Sequence, residues 1–579
     1  MRAWRIKARR HAGIGTLALL TAMLAGAAPA AAQAGAPIPL LPQQAQPPSI
    51  GNGAGAAPPP QSGAVTAAPL APTDASWIGV LGEDQGAFPQ TMWKGTPRAL
   101  VAGLLPLLAP STSPVLQDLT RRLLLSNAAA PDGQDAPDRP PLAEMRLGRL
   151  LALGDVAGAV AMMDQLPPDT SGDGLDRMKV KLSFAGADES SACNMVEKLI
   201  ARDQSPWWQR ALIACQALAG DGAKASLGQS LLREQKAPAD PVFDALIDNL
   251  GGRPHRIDKL PDPSPLRLAL LAAAKRPLPS EALAAAGPAA LLAYATSEAP
   301  SLERRLPAAE RAALFGALPP RRLGALYEQV MAKPGERTDA LKDGKLPETA
   351  HSRAILYQVA RSSAPAATRA AAITALLAEA RKRDAFPFTA RLLTAAVGEL
   401  RPQDVSRDFA GDAARALMVD GENDAAAPWI AAAGSKELAA LSALVIPPSG
   451  TADAAAVLHD GIAELVGRDA RAAPAQADLL VTLLAAFDLP VGPADWGVLL
   501  APPHVAKIPS AALWIDQQRA AAAKRIGETV LSTILLLQSG DRLSLEPVVL
   551  ARAIAGLRAI GHEADARQLA LEAAIDAGL

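Results

Sequence analysis

Cysteine is almost missing from this chain: Cys193 and Cys215 are the only two among 579 residues. Aromatic side chains make up 3%, and there are six histidines. Basic and acidic side chains, 57 against 58, nearly cancel. Each scarcity excludes something. Two cysteines build neither a thiolate zinc cluster nor a disulfide-dense scaffold. A chain that is 50% apolar with so few rings must form its core mainly from Ala, Leu and Val. Ala and Leu are the better helix formers, whereas strands draw on aromatic and β-branched residues. A net charge of −1 supplies no basic field to hold phosphates, which argues against nucleic acid as a partner. The histidines are His11, His255, His351, His459, His504 and His562, and none pairs at metal-ligand spacing. His562-Glu563 opens like H-E-x-x-H, but the second histidine is missing.

Apolar runs of membrane length are absent beyond the N-terminus. The longest, Ala99 to Ala109, has 11 residues with Pro106 inside it. That suits a core helix or, as a lesser reading, membrane contact through Leu100 to Leu108. The N-terminus itself is different. Arg2, Arg5, Lys7, Arg9 and Arg10 precede an apolar stretch from Ala12 to Ala28 and then small residues. This is the layout of a secretory signal peptide over residues 1–32, cleaved after Ala32. Residues 33–76 are rich in Pro, Gly, Gln, Ala and Ser, with one charge, Asp74. Such a composition buries too little surface to offset its ordering entropy, so a disordered linker is expected there.

The remainder reads as helix, short turn, helix. Residues 77–130 form a small helical cap. Thr96-Pro97 looks like a helix start, and Pro114 to Asn127 carries Leu116, Leu119, Leu123 and Leu124 on one face. Residues 142–250 are read as an N-terminal arc and 264–579 as a longer C-terminal arc, with a candidate division near 446–454. The breaks are Pro- and Gly-rich: Leu250 to Pro265, Ile446 to Ala454 and Asp488 to Ser510. Three turns share a signature, with Gly154, Gly186 and Gly220 spaced 32 and 34 apart. A period near 34 suits stacked helical hairpins.

The stretch LGDVAGAVAMMDQLPPD, with Gly154, Asp155, Ala157 and Ala159, resembles the turn and second helix of the tetratricopeptide repeat. AIGHEADARQLALEAA, with Gly561, is similar, and VDGENDAAAPWIAAA, with Gly421, is a looser match. The consensus aromatic and proline positions are mostly missing, and the likeness covers about a third of the chain. It implies a degenerate repeat: an all-α fold, an α-solenoid of antiparallel helical hairpins.

The cysteines fit that architecture. Helices over about 189–202 and 206–219 would be joined by Asp203-Gln204-Ser205, with Ser205 as cap and Pro206 at the first helical position. Residue 204 is the midpoint of 193 and 215. In an antiparallel hairpin the two thiols come level. Cys193 shares a stripe with Val196 and Ile200, as does Cys215 with Trp208 and Leu212. A Cys193–Cys215 disulfide is expected, in keeping with export into an oxidising compartment.

No G-x-S-x-G, S-x-x-K, phosphate-binding loop or dinucleotide-binding glycine pattern is present. No catalytic residue, metal or cofactor is expected. Trp208 and Trp496 are the candidate partner contacts, although packing against the next repeat is the weightier role for Trp208. The expectation is an exported, non-enzymatic scaffold or adaptor that binds an envelope protein, periplasmic if the host is Gram-negative. Ala- and Arg-rich usage points to a GC-rich bacterium. The second reading is a regulator, or the superhelical part, of a cell-wall peptidoglycan enzyme system.

Overall fold

Helix starts in this chain are written locally. Ser113-Pro114, Asp240-Pro241 and Ser264-Pro265 each set proline at the first helical position. The residue before it accepts a hydrogen bond from the backbone N–H of Leu116, Phe243 or Arg267. The structure, a computed structural model, describes residues 74–167, 170, 172–342, 348–447, 451–467, 473–497, 509–539 and 542–579. The signal peptide, nearly all of the linker, His11 and His504 lie outside these. The described residues form 28 α-helices, a few short 3-10 turns and one two-residue antiparallel ladder, Gln538–Ser539 with Arg542–Leu543. Neighbouring helices pack in pairs. Residues 71–579 constitute one compact unit.

Some local expectations need correction. Asp74 caps a turn at Ala75–Trp77 and pairs with Arg98 at 2.6 Å, so ordered chain begins ahead of residue 77. The first cap helix is Arg98–Leu104, with Pro97 rather than Thr96 at its N-cap. Pro97 is extended because it bridges to Asp132, which shifts the helix start by one residue. Ser205 occupies the N-cap expected of it, but its hydroxyl makes no capping bond; it donates to Asp203 instead.

The repeat glycines divide into two kinds. Gly154, Gly220, Gly421 and Gly561 are left-handed and end their helices. Gly186 is not, because its neighbour Ala187 takes the left-handed position (φ 59°). The same C-terminal turn is made without glycine at Lys236, Lys275, Asp384 and Lys524. At Gly154 the constraint is double. Its φ is 86°, and a Cβ there would lie 2.6 Å from both the Ala317 and Pro288 Cβ atoms. The turn between Leu142–Leu153 and Val156–Asp164 is thus pressed against the start of Pro288–Thr296 and the end of Leu302–Leu314.

Alanine allows some helices to be buried nearly all round. Pro288–Thr296 buries eight consecutive residues from Pro288 to Ala295. The C-terminal helix, Glu563–Asp576, buries Ala566 and everything from Leu569 to Ile575. It packs against the cap helix Pro114–Leu125, against Phe386–Gly398 and Arg407–Val419, and against its neighbour Pro547–Ala559. The cap helix Pro114–Leu125 and the last helix of the unit therefore meet. Arg122 pairs with Asp565 at 2.7 Å, and the Val115 N–H donates to Glu572 Oε2 at 3.1 Å. A second tie uses Arg146, buried on Leu142–Leu153. It donates to the carbonyls of Ser76, Leu124 and Ser126, and burial lowers its pKa to about 10.

Cys193 and Cys215 form a disulfide, with their Cα atoms 5.4 Å apart, between helices Glu189–Leu199 and Pro206–Leu218. The bond sits in a small satellite core with Val180, Phe184, Val196 and Trp208. No described helix is long and apolar enough to cross a membrane.

Two stability changes are expected. Gly154→Ala should cost about 2–4 kcal/mol, from left-handed strain plus overpacking, read as a lower chemical-denaturation midpoint. Replacing both cysteines by serine should cost about 3 kcal/mol by freeing the intervening loop in the unfolded chain; the wild type should lose the same amount on adding reductant, and the double variant nothing.

Candidate functional site: a cleft beside the cap helix

The cap helix has two faces with different fates. Leu119 and Leu123 turn inward and are buried, while Leu116 and Leu124, equally buried, also border a cleft. Gln117, Asp118 and Arg121 turn toward that cleft, of about 850 Å³. Its second wall is the hairpin around Gly154, with Leu150, Leu153, Val156 and Val160. Its third is formed by Leu292, Thr296, Phe315 and Gly316. Three stretches far apart in sequence thus enclose a volume in the range of ligand-binding sites.

Polar side chains hold the walls in register. Gln117 Nε2 donates to the carbonyls of Ser111 (2.7 Å) and Leu314 (2.8 Å), joining the cap to the third wall. Gly316 makes room for this amide; a Cβ there would lie 2.5 Å from Gln117 Oε1. Asp155 caps Val156–Asp164 through the Gly158 N–H and lies 3.3 Å from Arg121, joining the cap to the hairpin. Arg322 and Asp164 line the cleft from the two other walls, exposed and without a side-chain partner among the described residues.

Behind the cap helix lies an ionic node. Arg122 pairs with Asp118 (2.9 Å) and Asp565 (2.7 Å) and sits 4.8 Å over the Phe88 ring. His562 bonds Asp565 at 2.9 Å and packs edge-on to Phe88. Burial raises the Asp118 pKa; the Arg122 charge opposes this, and the Asp565 charge adds to it. For Asp565 burial also acts upward, but hydrogen bonds from His562 and Arg122 outweigh it and lower the pKa. Further along the same helix, burial drives Glu572 up to about 7, against hydrogen bonds from Ser113 and the Val115 N–H and the charge of Arg391. Asp576 rises to about 8 through burial and the charges of Glu572 and Asp384.

The two tryptophans singled out from sequence separate clearly. Trp208 is 1% exposed, packs in the disulfide's core and donates its Nε1–H to Asp173 at 3.0 Å. It offers no surface to a partner, which corrects that candidate role; the half-exposed ring is Trp207, which stacks edge-on against it under Arg177. Trp496 is 47% exposed, on the short helix Pro493–Gly497. Neither lines the cleft. Of the turn glycines, Gly154 and Gly186 line it; Gly220, Gly421 and Gly561 do not. In the run Leu100 to Leu108, Val101, Leu105 and Leu108 are buried, and Leu107 is 60% exposed.

Each described histidine faces a carboxylate: His255 with Asp248, His351 with Glu336, His459 with Asp495 and His562 with Asp565. Among the described residues no group of three or more His, Cys, Asp or Glu is placed to hold a metal ion. The cleft itself escaped sequence reasoning. Gln117, Asp118 and Arg121 sit at ordinary solvent-facing positions of an amphipathic helix, and nothing local marks them.

No protein-family model, curated protein or solved structure matches this chain.

A pH dependence follows from the carboxyl pair on the C-terminal helix. Glu572 is raised from 4.5 to about 7, so the folded state holds a proton that the unfolded chain releases earlier. Its contribution is complete below pH 4.5 and is lost as pH rises through about 7, a difference of roughly 3 kcal/mol. Melting temperature should fall between about pH 5 and pH 8, and Glu572→Gln should flatten that slope.

Proposed function

We propose that this chain is an exported, non-enzymatic helical-repeat scaffold, tetratricopeptide-like and bacterial, that holds a segment of an envelope protein in the cleft beside its cap helix. The observation that carries the reading is the cleft. It has apolar walls from Leu150, Leu153, Val156 and Leu292, and a rim bearing both charge signs. Arg322 and Asp164 stand on separate walls, exposed and without a side-chain partner among the described residues. Such a surface suits a polypeptide, whose apolar side chains need walls and whose charged ones need partners of either sign. Paired helices serve this mode of recognition well, because stacked hairpins expose extended concave faces. The disulfide supports an oxidising compartment, which is the periplasm if the host is Gram-negative.

The test is a photo-crosslinking amino acid in place of Val160, a 41% exposed residue on the hairpin wall, in intact cells. One or two envelope proteins should be captured in high yield, and Ala157→Trp, which fills the cleft, should abolish the adduct. If no adduct forms at Val160, while the same probe at Trp496 captures a protein, the cleft is not the binding surface.

A further inference from the structure

Six charged side chains line the larger cleft: Asp118, Arg121, Asp155, Asp164, Arg322 and Arg391. Four of them are engaged within the protein. Asp118 pairs with Arg122 at 2.9 Å, Arg121 with Asp155 at 3.3 Å, and Arg391 faces Asp420 at 3.8 Å. A second, smaller cleft of about 250 Å³ treats its acids in the same way, with Arg353 bonded to both Glu310 and Glu379. Asp164 and Arg322 are the exceptions. Both are exposed, and neither has a side-chain partner among the described residues.

Their places on their own helices set them apart from ordinary solvated charges. Asp164 is the last residue of Val156–Asp164, and Arg322 is the third of Pro320–Glu328. A helix carries a partial positive charge at its N-terminus and a partial negative one at its C-terminus. An acid at the C-terminal end and a base in the first turn are each repelled by the helix that bears them. The carboxylate and its helix end therefore reinforce one another as a negative pole, and the guanidinium and its helix end as a positive one. Local sequence works against helix stability at both places, the pattern expected where charge serves binding.

Each pole adjoins apolar wall. Val160, 41% exposed, lies four residues before Asp164 and on the same helix face. Phe315 and Pro319 line the cleft and lead into the helix of Arg322. A segment with an acidic and a basic side chain flanking an apolar stretch answers both poles. An all-apolar segment leaves both unanswered, and one of a single charge sign is repelled at one of them.

We propose that the placement of charge decides which polypeptide segment the larger cleft accepts: the segment presents a carboxylate to Arg322 and an ammonium or guanidinium to Asp164. This rests on the cleft being the binding surface, and it gives the partner's chemistry: both charge signs, with apolar side chains between them.

The photo-crosslinker at Val160, in intact cells, tests this with Arg322→Glu and Asp164→Lys made singly. Each reversal should lower the adduct yield by about threefold to fivefold, because an attraction is lost and a repulsion gained. Arg322→Lys and Asp164→Glu keep the signs and should retain most of the adduct. Both reversals give each helix end the charge it prefers, so those variants should melt at or above the wild-type temperature, and loss of adduct then does not come from unfolding. The segment mapped by mass spectrometry should carry an acid and a base flanking apolar residues, and changing its acid to lysine should restore the yield with Arg322→Glu. Equal yields from the wild type and both reversals, or a mapped segment without either charge, overturn the charge inference and leave the cleft as the binding surface. No adduct from any of these chains, the wild type included, overturns both.

Discussion

The contact on which the rest of this fold depends is the meeting of its first long helix with its last. Arg122 on the cap helix and Asp565 on the C-terminal helix pair in a largely buried setting, with Phe88 against the guanidinium. Glu572, one further stretch along, takes the Val115 N–H at the start of the cap helix. A charge removed from water needs a partner and good geometry, or it destabilises the fold by several kcal/mol. The pair therefore fixes orientation as well as proximity. With the inner face of the cap helix held in this way, its outer face has one available direction, and Gln117, Asp118 and Arg121 become a wall of the large cleft.

Close approach is what makes that meeting feasible. The C-terminal helix is covered on several sides by other helices, and alanine at positions 566, 570, 573 and 574 lets them approach. Larger residues would fill the same space with fewer neighbours. The cost of such a helix is that its two acids, Glu572 and Asp576, are carried inward with it, and their raised pKa values reflect that burial. The smaller cleft shows the other treatment of buried charge. There Arg353 sits between Glu310 and Glu379, and all but one carboxylate oxygen is satisfied.

The faintness of the repeat has a physical reason. A hairpin turn of this kind needs one residue with positive φ after the first helix, and glycine meets that need at the lowest strain. Gly154, Gly220, Gly421 and Gly561 do so here, but Ala187, Lys236, Lys275, Asp384 and Lys524 adopt the same backbone. The backbone recurs while the residue does not, so a search on glycine spacing finds only some of the turns. Caps drift likewise: Asp155, Asp188 and Asp221 accept the hydrogen bond expected of them, whereas Glu422 and His562 hold the same place without one.

What was legible in the sequence was local. Helix propensity, proline at first turns and leucine periodicity established an all-helical chain of paired helices, and the placement of residues 193 and 215 about a turn established their disulfide. These depend on residues within one or two turns of each other, so the physics acts over the same distance as the pattern. Tertiary structure alone decided that Trp208 is interior, that Arg122 meets Asp565, and that three ordinary helix surfaces enclose a cleft. Val115 and Glu572 are 457 residues apart. Their contact is selected by how all the intervening helices pack, and no short stretch of sequence carries a record of it.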